Sequence, residues 1–241
     1  MRRDYRWRAS IASEGGWNRR RADAITEPRS SPVTTTRRAL ILIDVQQEYF
    51  AGPLAIQYPP REESILRIAD AIDAATTAGV PVVVVQHSSG SGAPVFDPET
   101  SAFELHPEVV RRAQPSWKGV VKQYGSVFAG TDLEAWLREQ GVNTVTLVGY
   151  MTNNCVIASA AGAEELGIEV EVLSDATGAI NLENAAGSVD AKTVHTTLMA
   201  LLDSNFGAVA TTGAWMRALA DRTPLPKDDL VSSATRTAER D

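Results

Sequence analysis

The chain contains a single cysteine, Cys155, at a position where a thiol can be made reactive. It follows a strand-like run, "TVTLVGY", and immediately precedes a helix-like run, "VIASAAGAEEL". A lone free cysteine is more often a small buried core residue than a nucleophile. The N-terminus of a helix, however, is where a thiolate is stabilised most easily. Core packing and nucleophilic catalysis are therefore both open from Cys155 alone.

Three further reactive side chains stand at or near the ends of strand-like runs. Asp44 ends "RALILID", His87 ends "PVVVVQH", and Lys122 lies near the end of "GVVKQY". The carboxyl ends of parallel strands meet at one edge of a sheet, and in open α/β folds the chemistry sits there. Four reactive side chains at one edge favour catalysis over packing.

The elements that would position these residues alternate between strands and helices. Such alternation predicts an α/β fold with a doubly wound, mainly parallel six-stranded sheet and helices on both faces. The expected strands are 38–44, 81–87, 119–124, 144–150, 168–176 and 207–212; the expected helices are 61–80, 131–141, the run after Cys155 and 188–206. The polar, Pro-rich segment 88–117 is expected to form a lid or a pocket wall.

Two helix starts are predicted from cap residues. Thr131 and Glu134 have the spacing of a capping box, with Gly141 as the stop signal, and Ser188 is a candidate N-cap for the late helix. Gly79 is expected to end the helix over 61–80.

Composition and charge bound the classes of partner. Residues 1–38 hold ten Arg and four acidic residues, a net charge of +6, so the remainder carries −13. We expect a disordered basic extension over 1–37, one domain over 38–220, and a polar C-terminal tail over 221–241. A start codon placed too far upstream and a nucleic-acid arm are alternatives for the extension. The acidic body argues against nucleic acid as the main partner.

Location is also bounded by the sequence. The Arg-rich start lacks the apolar region of a secretory signal. No apolar run approaches the ~20 residues that span a bilayer, so no membrane is expected. A single cysteine fits a reducing, cytoplasmic setting.

Four motifs carry a resemblance to a known family: "LIDVQQEYF", "VVKQYGSVFAGTDLEAWL", "VGYMTNNCVIASAAGAEELG" and "VEVLSDATGA". Over residues 38–212 the chain resembles the isochorismatase-like cysteine hydrolases, which include nicotinamidases and N-carbamoylsarcosine amidase. The resemblance implies a Rossmann-like three-layer sandwich, and a hydrolase domain over 38–220. It also implies a catalytic triad of Asp44, Lys122 and Cys155, and a cis peptide bond between Tyr150 and Met151. The backbone N–H groups of Met151 and Cys155 would form the oxyanion hole.

Each triad role has a physical basis. A thiol with a pKa of ~8.5 is mostly protonated at neutral pH. The helix N-terminus and the Lys122 ammonium are expected to lower the pKa of Cys155. Asp44 would take the thiol proton, deliver it to the leaving nitrogen and then activate the deacylating water.

Four residues are candidates for substrate binding: Gln46, His87, Tyr124 and Phe128. The family pattern implies that Gln46 faces the substrate and that Thr152 braces the turn before Cys155. Packing is the alternative for Tyr124 and Phe128, and His195 is expected to make a structural polar contact.

No metal or other cofactor is expected. Nicotinamidases of this family carry a metal site after the second strand, built from an Asp and several His residues. Here the same region offers only His87, Asp97 and His106, widely spaced on a long loop, which is weak support for a metal site. The difference also weakens nicotinamide as the substrate.

Within the family, the chain looks most like the branch of streptothricin hydrolase, which opens a cyclic amide in a cationic antibiotic. The resemblance implies hydrolysis of a small, cyclic amide, and the acidic body would favour a cation. A nicotinamidase and a ureidoacrylate or carbamoyl amidohydrolase are alternatives, and so is a catalytically silent small-molecule-binding protein. The resemblance further implies a homodimer or homotetramer.

Overall fold

The structure, a computed structural model, describes residues 35–238, and a six-stranded parallel sheet forms its centre. The strands are β1 (Arg38–Ile43), β2 (Val82–His87), β3 (Lys118–Lys122), β4 (Thr144–Tyr150), β5 (Glu169–Gly178), β6 (Leu182–Asn184), β7 (Gly187–Val189) and β8 (Ala208–Ala210). The sheet order is β3-β2-β1-β4-β5-β8, and every neighbouring pair is parallel. The predicted fold class is confirmed. β6 and β7 form a separate antiparallel hairpin, which was not predicted.

The central strands are apolar because both of their faces are covered. All six residues of β1 and all seven residues of β4 are buried. Parallel strands that are covered on both faces read as continuous apolar runs rather than as alternating ones. β1 and β4 therefore run through the core and end at the edge of the sheet where Asp44 and Cys155 follow them.

Helices cover the two faces of the sheet. They are α1 (Arg61–Ala78), α2 (Pro107–Val110), α3 (Leu133–Glu139), α4 (Ile157–Glu165), α5 (Ala191–Asn205), α6 (Thr212–Asp221) and α7 (Leu230–Ala238). Side chains of α3, α4 and α5 form one buried cluster with the sheet. Side chains of α1, α2 and α6 form the other. The two clusters confirm helices on both faces.

The predicted Ser188 cap is wrong, and the predicted capping box forms only in part, because Thr131 Oγ1 accepts a hydrogen bond from Leu133 N at 3.4 Å. α3 begins at Leu133, and Glu134 forms a hydrogen bond with Arg138 Nε at 2.9 Å instead of reaching back to Thr131. The late helix begins at Ala191, because Asp190 accepts a hydrogen bond from Thr193 N at 2.9 Å and acts as its N-cap. Ser188 instead lies in β7, opposite β6.

The two glycines predicted to end helices lie where they were expected. Gly79 caps α1 with a φ of 68°, and Gly141 follows α3 with a φ of 65°. Both angles lie in the left-handed region, where glycine has no steric penalty.

The proposed domain ends are only partly described. Residues 1–34, which make up most of the predicted basic extension, lie outside the described residues. Within the predicted tail over 221–241, residues 230–238 form α7 and residues 239–241 are not described. None of the described helices is both long and apolar enough to cross a membrane.

Candidate active site

Asp44, Lys122 and Cys155 meet at the carboxyl edge of the sheet, although each comes from a different strand. Asp44 follows β1, Lys122 ends β3, and Cys155 follows β4. Lys122 Nζ lies 2.7 Å from Asp44 Oδ2 and donates a hydrogen bond to Cys155 Sγ at 3.2 Å. All three residues are buried, with at most 2% of their surface exposed. The structure brings the predicted triad together.

The Lys122 ammonium has two further neighbours. It donates to the Tyr124 carbonyl oxygen at 3.1 Å and lies 3.2 Å from His87 Nδ1. An ammonium carries three protons and no acceptor. His87 Nδ1 must therefore be the acceptor, and the proton of the neutral ring lies on Nε2. In total, four acceptors surround the three protons of Lys122.

The buried carboxylate of Asp44 has few hydrogen bonds to offset its loss of hydration. Apart from the Lys122 ion pair, neither carboxylate oxygen accepts a hydrogen bond of ordinary geometry from a described residue. Burial raises the pKa of Asp44 to about 6, and the charge of Lys122 limits the rise. A carboxylate with this pKa is a competent proton acceptor near neutral pH.

Lys122 lowers the pKa of Cys155 as expected, but the expected net decrease is wrong. Burial raises the pKa of the thiol to about 12, and the charge of Asp44 raises it further, while Lys122 opposes both. Desolvation disfavours the thiolate more than one ammonium favours it. The thiol is therefore protonated at rest and needs a base when it attacks.

A π-helical turn, Thr152–Val156, in which Val156 N donates to the Met151 carbonyl oxygen at 3.2 Å, presents Cys155 just before α4. The predicted cis peptide bond between Tyr150 and Met151 is confirmed. Ser159, one turn further along in α4, holds this turn in place. Its hydroxyl donates to the Cys155 carbonyl oxygen at 2.6 Å and accepts from Val127 N at 3.1 Å.

Gly149 is a site residue that the sequence patterns did not single out. Its φ is 105°, and a Cβ atom built there would lie 2.1 Å from the Ile43 carbonyl oxygen. Only glycine allows β4 to pass this close to β1 directly before the catalytic turn. A glycine inside an otherwise β-branched strand was the available signal.

Thr152 and His195 form a polar brace beneath the turn. Thr152 Oγ1 lies 3.0 Å from His195 Nδ1, and His195 Nε2 lies 3.0 Å from the Ser174 carbonyl oxygen. The carbonyl only accepts, so Nε2 carries the proton and Nδ1 accepts from Thr152. The expected bracing role of Thr152 and the structural polar contact of His195 agree with this geometry.

Gln46 does not face a substrate, which corrects the expectation from the family pattern. Its side-chain oxygen accepts from His87 N at 2.8 Å, and its nitrogen donates to the carbonyl oxygens of His87 and Phe103. Gln46 is fully buried. With both ends of its amide engaged by backbone, Gln46 positions His87 and the segment that contains Phe103.

The other substrate-contact candidates differ in their surroundings. His87 is half-buried, and its ring packs edge-on against Phe96 with centroids 5.0 Å apart. Phe128 packs against the buried cluster below α4, as its packing alternative predicted. The Tyr124 ring is 62% exposed, while its carbonyl oxygen holds Lys122.

The segment between β2 and α2 forms a wall beside the triad, held by residues that follow β1. Glu48 Oε2 accepts from Phe96 N at 3.1 Å, and His106 N donates to the Val45 carbonyl oxygen at 2.8 Å. Phe96 has a φ of 55°, an uncommon angle for a bulky residue, which the Glu48 contact helps to hold.

The three candidate metal ligands point to different partners. His87 binds Lys122, Asp97 accepts from Gly92 N and Glu99 N, and His106 accepts from Glu108 N. Among the described residues, no group of three or more His, Cys, Asp or Glu side chains is arranged to hold a metal ion.

Several known proteins are similar to this chain. The family model for the isochorismatase domain matches residues 38–214. YddQ, an uncharacterised isochorismatase family protein of Bacillus subtilis (strain 168), is 33% identical over 181 residues, which are 74% of this chain and 98% of that protein. A streptothricin hydrolase of Streptomyces noursei is 31% identical over 168 residues, which are 69% of this chain and 64% of that protein.

A solved structure agrees with the fold. The crystal structure of a candidate isochorismatase from Burkholderia xenovorans LB400 superimposes with a TM-score of 0.83 at 43% identity. The match covers 86% of this chain and 99% of that one.

Proposed function

The chain belongs to the isochorismatase family, and on this basis we propose that it is a hydrolase that uses Cys155 to cleave a C–N bond of a small amide. The observation that carries the proposal is the position of Lys122. Its ammonium contacts Asp44 at 2.7 Å and Cys155 Sγ at 3.2 Å inside a fully buried site. A base, a nucleophile and a cation that touches both are the groups that acyl transfer needs.

The proton transfers follow from the two shifted pKa values. At neutral pH the Asp44 carboxylate is ionised and the thiol is protonated, since their pKa values are about 6 and about 12. As Sγ attacks the carbonyl carbon, Asp44 takes the thiol proton and Lys122 stabilises the developing negative charge on sulfur. Asp44 then delivers this proton to the amide nitrogen, which leaves as a neutral amine.

A thioester on Cys155 remains after the amine departs. Asp44, ionised again, takes a proton from water as the water attacks the thioester carbonyl. Collapse of that adduct expels Sγ, which takes the proton back from Asp44, so that the acid is released and the thiol is restored. Asp44 therefore acts first as a base and then as an acid in each of the two half-reactions.

The oxyanion of each tetrahedral intermediate needs donors, and we propose the backbone N–H groups of Met151 and Cys155 for this role. Cys155 lies in the first turn of a helical segment, where backbone N–H groups point away from the helix. The loss of one such donor typically costs about 3–4 kcal/mol of barrier.

For the substrate we propose a small amide, with a cyclic amide such as the lactam of streptothricin as the first candidate. The similarity to the streptothricin hydrolase of Streptomyces noursei supports this choice. The net charge of −13 over residues 39–241, together with the exposed side chains of Glu99 and Glu104 in the wall segment, supports a cationic molecule. We also propose self-association as a homodimer or homotetramer, which light scattering of the purified chain tests.

The test is a substrate panel of nicotinamide, carbamoyl amines, ureidoacrylate-type amides and a streptothricin lactam. Mass spectrometry would detect the product by the addition of one water. We expect wild-type enzyme to hydrolyse one class and the Cys155→Ala variant to hydrolyse none. Val156→Ala, which removes bulk from the same buried turn but keeps the thiol, is the matched control and should remain active.

Turnover by Cys155→Ala at the wild-type rate would contradict the proposal. If wild-type protein binds a panel member without hydrolysing it, the chain is instead a catalytically silent binding protein of this fold.

A further inference from the structure

The ammonium group of Lys122 has fewer protons than it has acceptors around it. The charged carboxylate of Asp44 is the shortest contact, at 2.7 Å, and engages one proton. The Tyr124 carbonyl oxygen is the next, at 3.1 Å, and engages a second. His87 Nδ1 and Cys155 Sγ both lie 3.2 Å from Nζ. Because an ammonium carries three protons, one proton remains for the imidazole nitrogen and the sulfur.

His87 is held in the orientation that its contact with Lys122 needs. The two residues are partners in the register of β2 and β3. Gln46 accepts a hydrogen bond from His87 N at 2.8 Å and donates one to the His87 carbonyl oxygen at 3.2 Å. The ring of Phe96 packs edge-on against the imidazole at 5.0 Å. The imidazole is therefore a fixed acceptor in front of a long and flexible lysine side chain.

Before reaction, the imidazole is the better acceptor of the two. The pKa of Cys155 is about 12, so its thiol is neutral at neutral pH, and a neutral sulfur accepts hydrogen bonds only weakly. Burial lowers the pKa of His87 to about 4, with a further decrease from Lys122, so Nδ1 keeps its lone pair. The remaining N–H of Lys122 is therefore directed to His87.

Attack on a substrate reverses this order. When Asp44 takes the thiol proton, the sulfur becomes negatively charged, and an ammonium group donates more strongly to an anion than to a neutral nitrogen. Both acceptors are already at 3.2 Å from Nζ. The N–H can change its acceptor by a small rotation about the Cε–Nζ bond, without displacement of either side chain.

We propose that His87 Nδ1 accepts the third N–H of Lys122 while Cys155 is a thiol, and that this N–H turns to Sγ when the sulfur becomes anionic. The inference rests on the proposed amidohydrolase function and adds a positioning residue that acts through Lys122. Its consequence is that the resting thiol is less reactive than it would be with the N–H already directed to the sulfur.

Two substitutions of His87 separate the acceptor from the shape of the side chain. His87→Asn places an amide oxygen close to the position of Nδ1, whereas His87→Phe keeps a ring against Phe96 but has no acceptor. Asparagine is also the smaller residue, so easier access of a reagent would affect His87→Asn more than His87→Phe. The rate of alkylation by iodoacetamide at neutral pH is the readout. It needs no turnover, and it reports on Cys155 alone because the chain has one cysteine.

We expect His87→Phe to be alkylated about 3- to 30-fold faster than wild type, because ionisation of the thiol no longer costs the hydrogen bond between Lys122 and His87. His87→Asn should be alkylated at close to the wild-type rate. His87→Phe should also unfold at a lower temperature, since a buried N–H loses its strongest neutral acceptor.

A second measurement uses the wild-type protein and decides the case if His87→Phe does not fold. Nitrogen-15 NMR of labelled histidine, with the His87 signals assigned by their loss in His87→Asn, should show the proton on Nε2 and a hydrogen-bonded Nδ1.

Three results would overturn the proposal: an unchanged or slower alkylation of folded His87→Phe, an equal increase in His87→Asn, or a wild-type His87 with its proton on Nδ1. None of them depends on turnover. The proposed function fails separately, if wild-type protein hydrolyses no amide of the panel.

Discussion

Strand β1 has a buried charged residue at each end, and the ion pairs that the two residues form have very different hydrogen-bond surroundings. Arg38 begins β1, and Asp44 follows it. Arg38 forms a buried pair with Glu171 at 2.7 Å, and Asp44 forms a buried pair with Lys122 at the same distance. The length of the ion pair and its burial therefore do not distinguish the two ends.

The difference lies in how the carboxylate is satisfied. Glu171 accepts from Arg38 Nε and one terminal nitrogen of its guanidinium, from Thr146 Oγ1 at 2.8 Å, and from Trp215 Nε1 at 3.0 Å. Asp44 has only the Lys122 ammonium and the Cys155 thiol beside it, and it shares Lys122 with Cys155, His87 and Tyr124. We call these the Arg38 cluster (Arg38, Glu171, Thr146, Trp215) and the Asp44 cluster (Asp44, Lys122, Cys155, His87).

A saturated buried carboxylate stabilises a fold, whereas an under-compensated one is ready to exchange a proton. Four donors satisfy the Glu171 carboxylate. Asp44, with one shared cation, has a pKa of about 6. The comparison predicts that mutations in the Asp44 cluster reduce activity and mutations in the Arg38 cluster reduce stability.

The largest expected effect is on catalysis. Asp44→Asn keeps the shape of the side chain but removes the base, so kcat/KM should fall by about 10²- to 10⁴-fold. Lys122 retains Cys155, His87 and Tyr124 as acceptors, so a folded protein is expected. Steady-state kinetics on the amide identified by the panel, with thermal unfolding as the control, measure this. Near wild-type kcat/KM would remove Asp44 from the mechanism.

The matching change at the other end should act on stability. Glu171→Gln leaves the buried guanidinium of Arg38 without its charge partner, which costs about 3–5 kcal/mol in the free energy of unfolding. The kcat of the folded fraction should stay close to the wild-type value. Urea unfolding and kinetics on the same samples test this. A large loss of kcat with unchanged unfolding would mean that the Arg38 cluster acts on the site.

The pH dependence of kcat/KM should be set by the Asp44 cluster and not by the Arg38 cluster. The base must be ionised, so kcat/KM should rise with pH through about 6, the pKa of Asp44. Below that pH the rate should fall by about tenfold per pH unit. Glu171→Gln should leave this limb in place. A profile that is flat from acid to neutral pH, or that rises only near the pKa of a free thiol, would contradict the assignment.

The smallest effects are expected from the same substitution, Thr to Val, made once beside the Asp44 cluster and once in the Arg38 cluster. Thr152→Val removes the hydrogen bond to His195. Thr146→Val removes the hydrogen bond to Glu171 and one of the two acceptors of Trp215 Nε1, which still donates to Glu171. Each should cost about 0.5–1.5 kcal/mol in the free energy of unfolding. Only Thr152→Val should also reduce kcat, because Thr152 braces the turn that holds Cys155. Equal kcat values for the two variants would show that the brace does not affect catalysis.

The elements that position the site could be predicted because their apolar runs are long and uninterrupted. β4 begins and ends where "TVTLVGY" does, and β1 ends one residue before Asp44. The meeting of Asp44, Lys122 and Cys155 followed from the rule that parallel strands bring their carboxyl ends to one edge.

The predictions for Ser188 and Gln46 failed because the hydrogen-bond partners of a polar side chain depend on which groups folding brings near it. Ser188 and Asp190 both precede the late helix, and the hairpin that takes Ser188 is invisible to helical periodicity. Gln46 has the right type for a substrate contact, but its partners are backbone atoms brought near by folding.

The net shift of the Cys155 pKa was predicted in the wrong direction for a similar reason. A charged neighbour can be inferred from sequence, whereas the desolvation that outweighs it depends on complete burial, which only the packed structure shows.

Acylation of Cys155 is tested by rapid quenching of wild-type enzyme during turnover, followed by intact-mass and peptide analysis. We expect a transient mass increase on Cys155 that is absent from Cys155→Ala; it equals the acyl part of a linear amide, or the whole substrate if the substrate is a lactam, whose amine stays attached after ring opening. Turnover that continues without any acyl adduct on Cys155, and that persists in Cys155→Ala, would contradict this expectation.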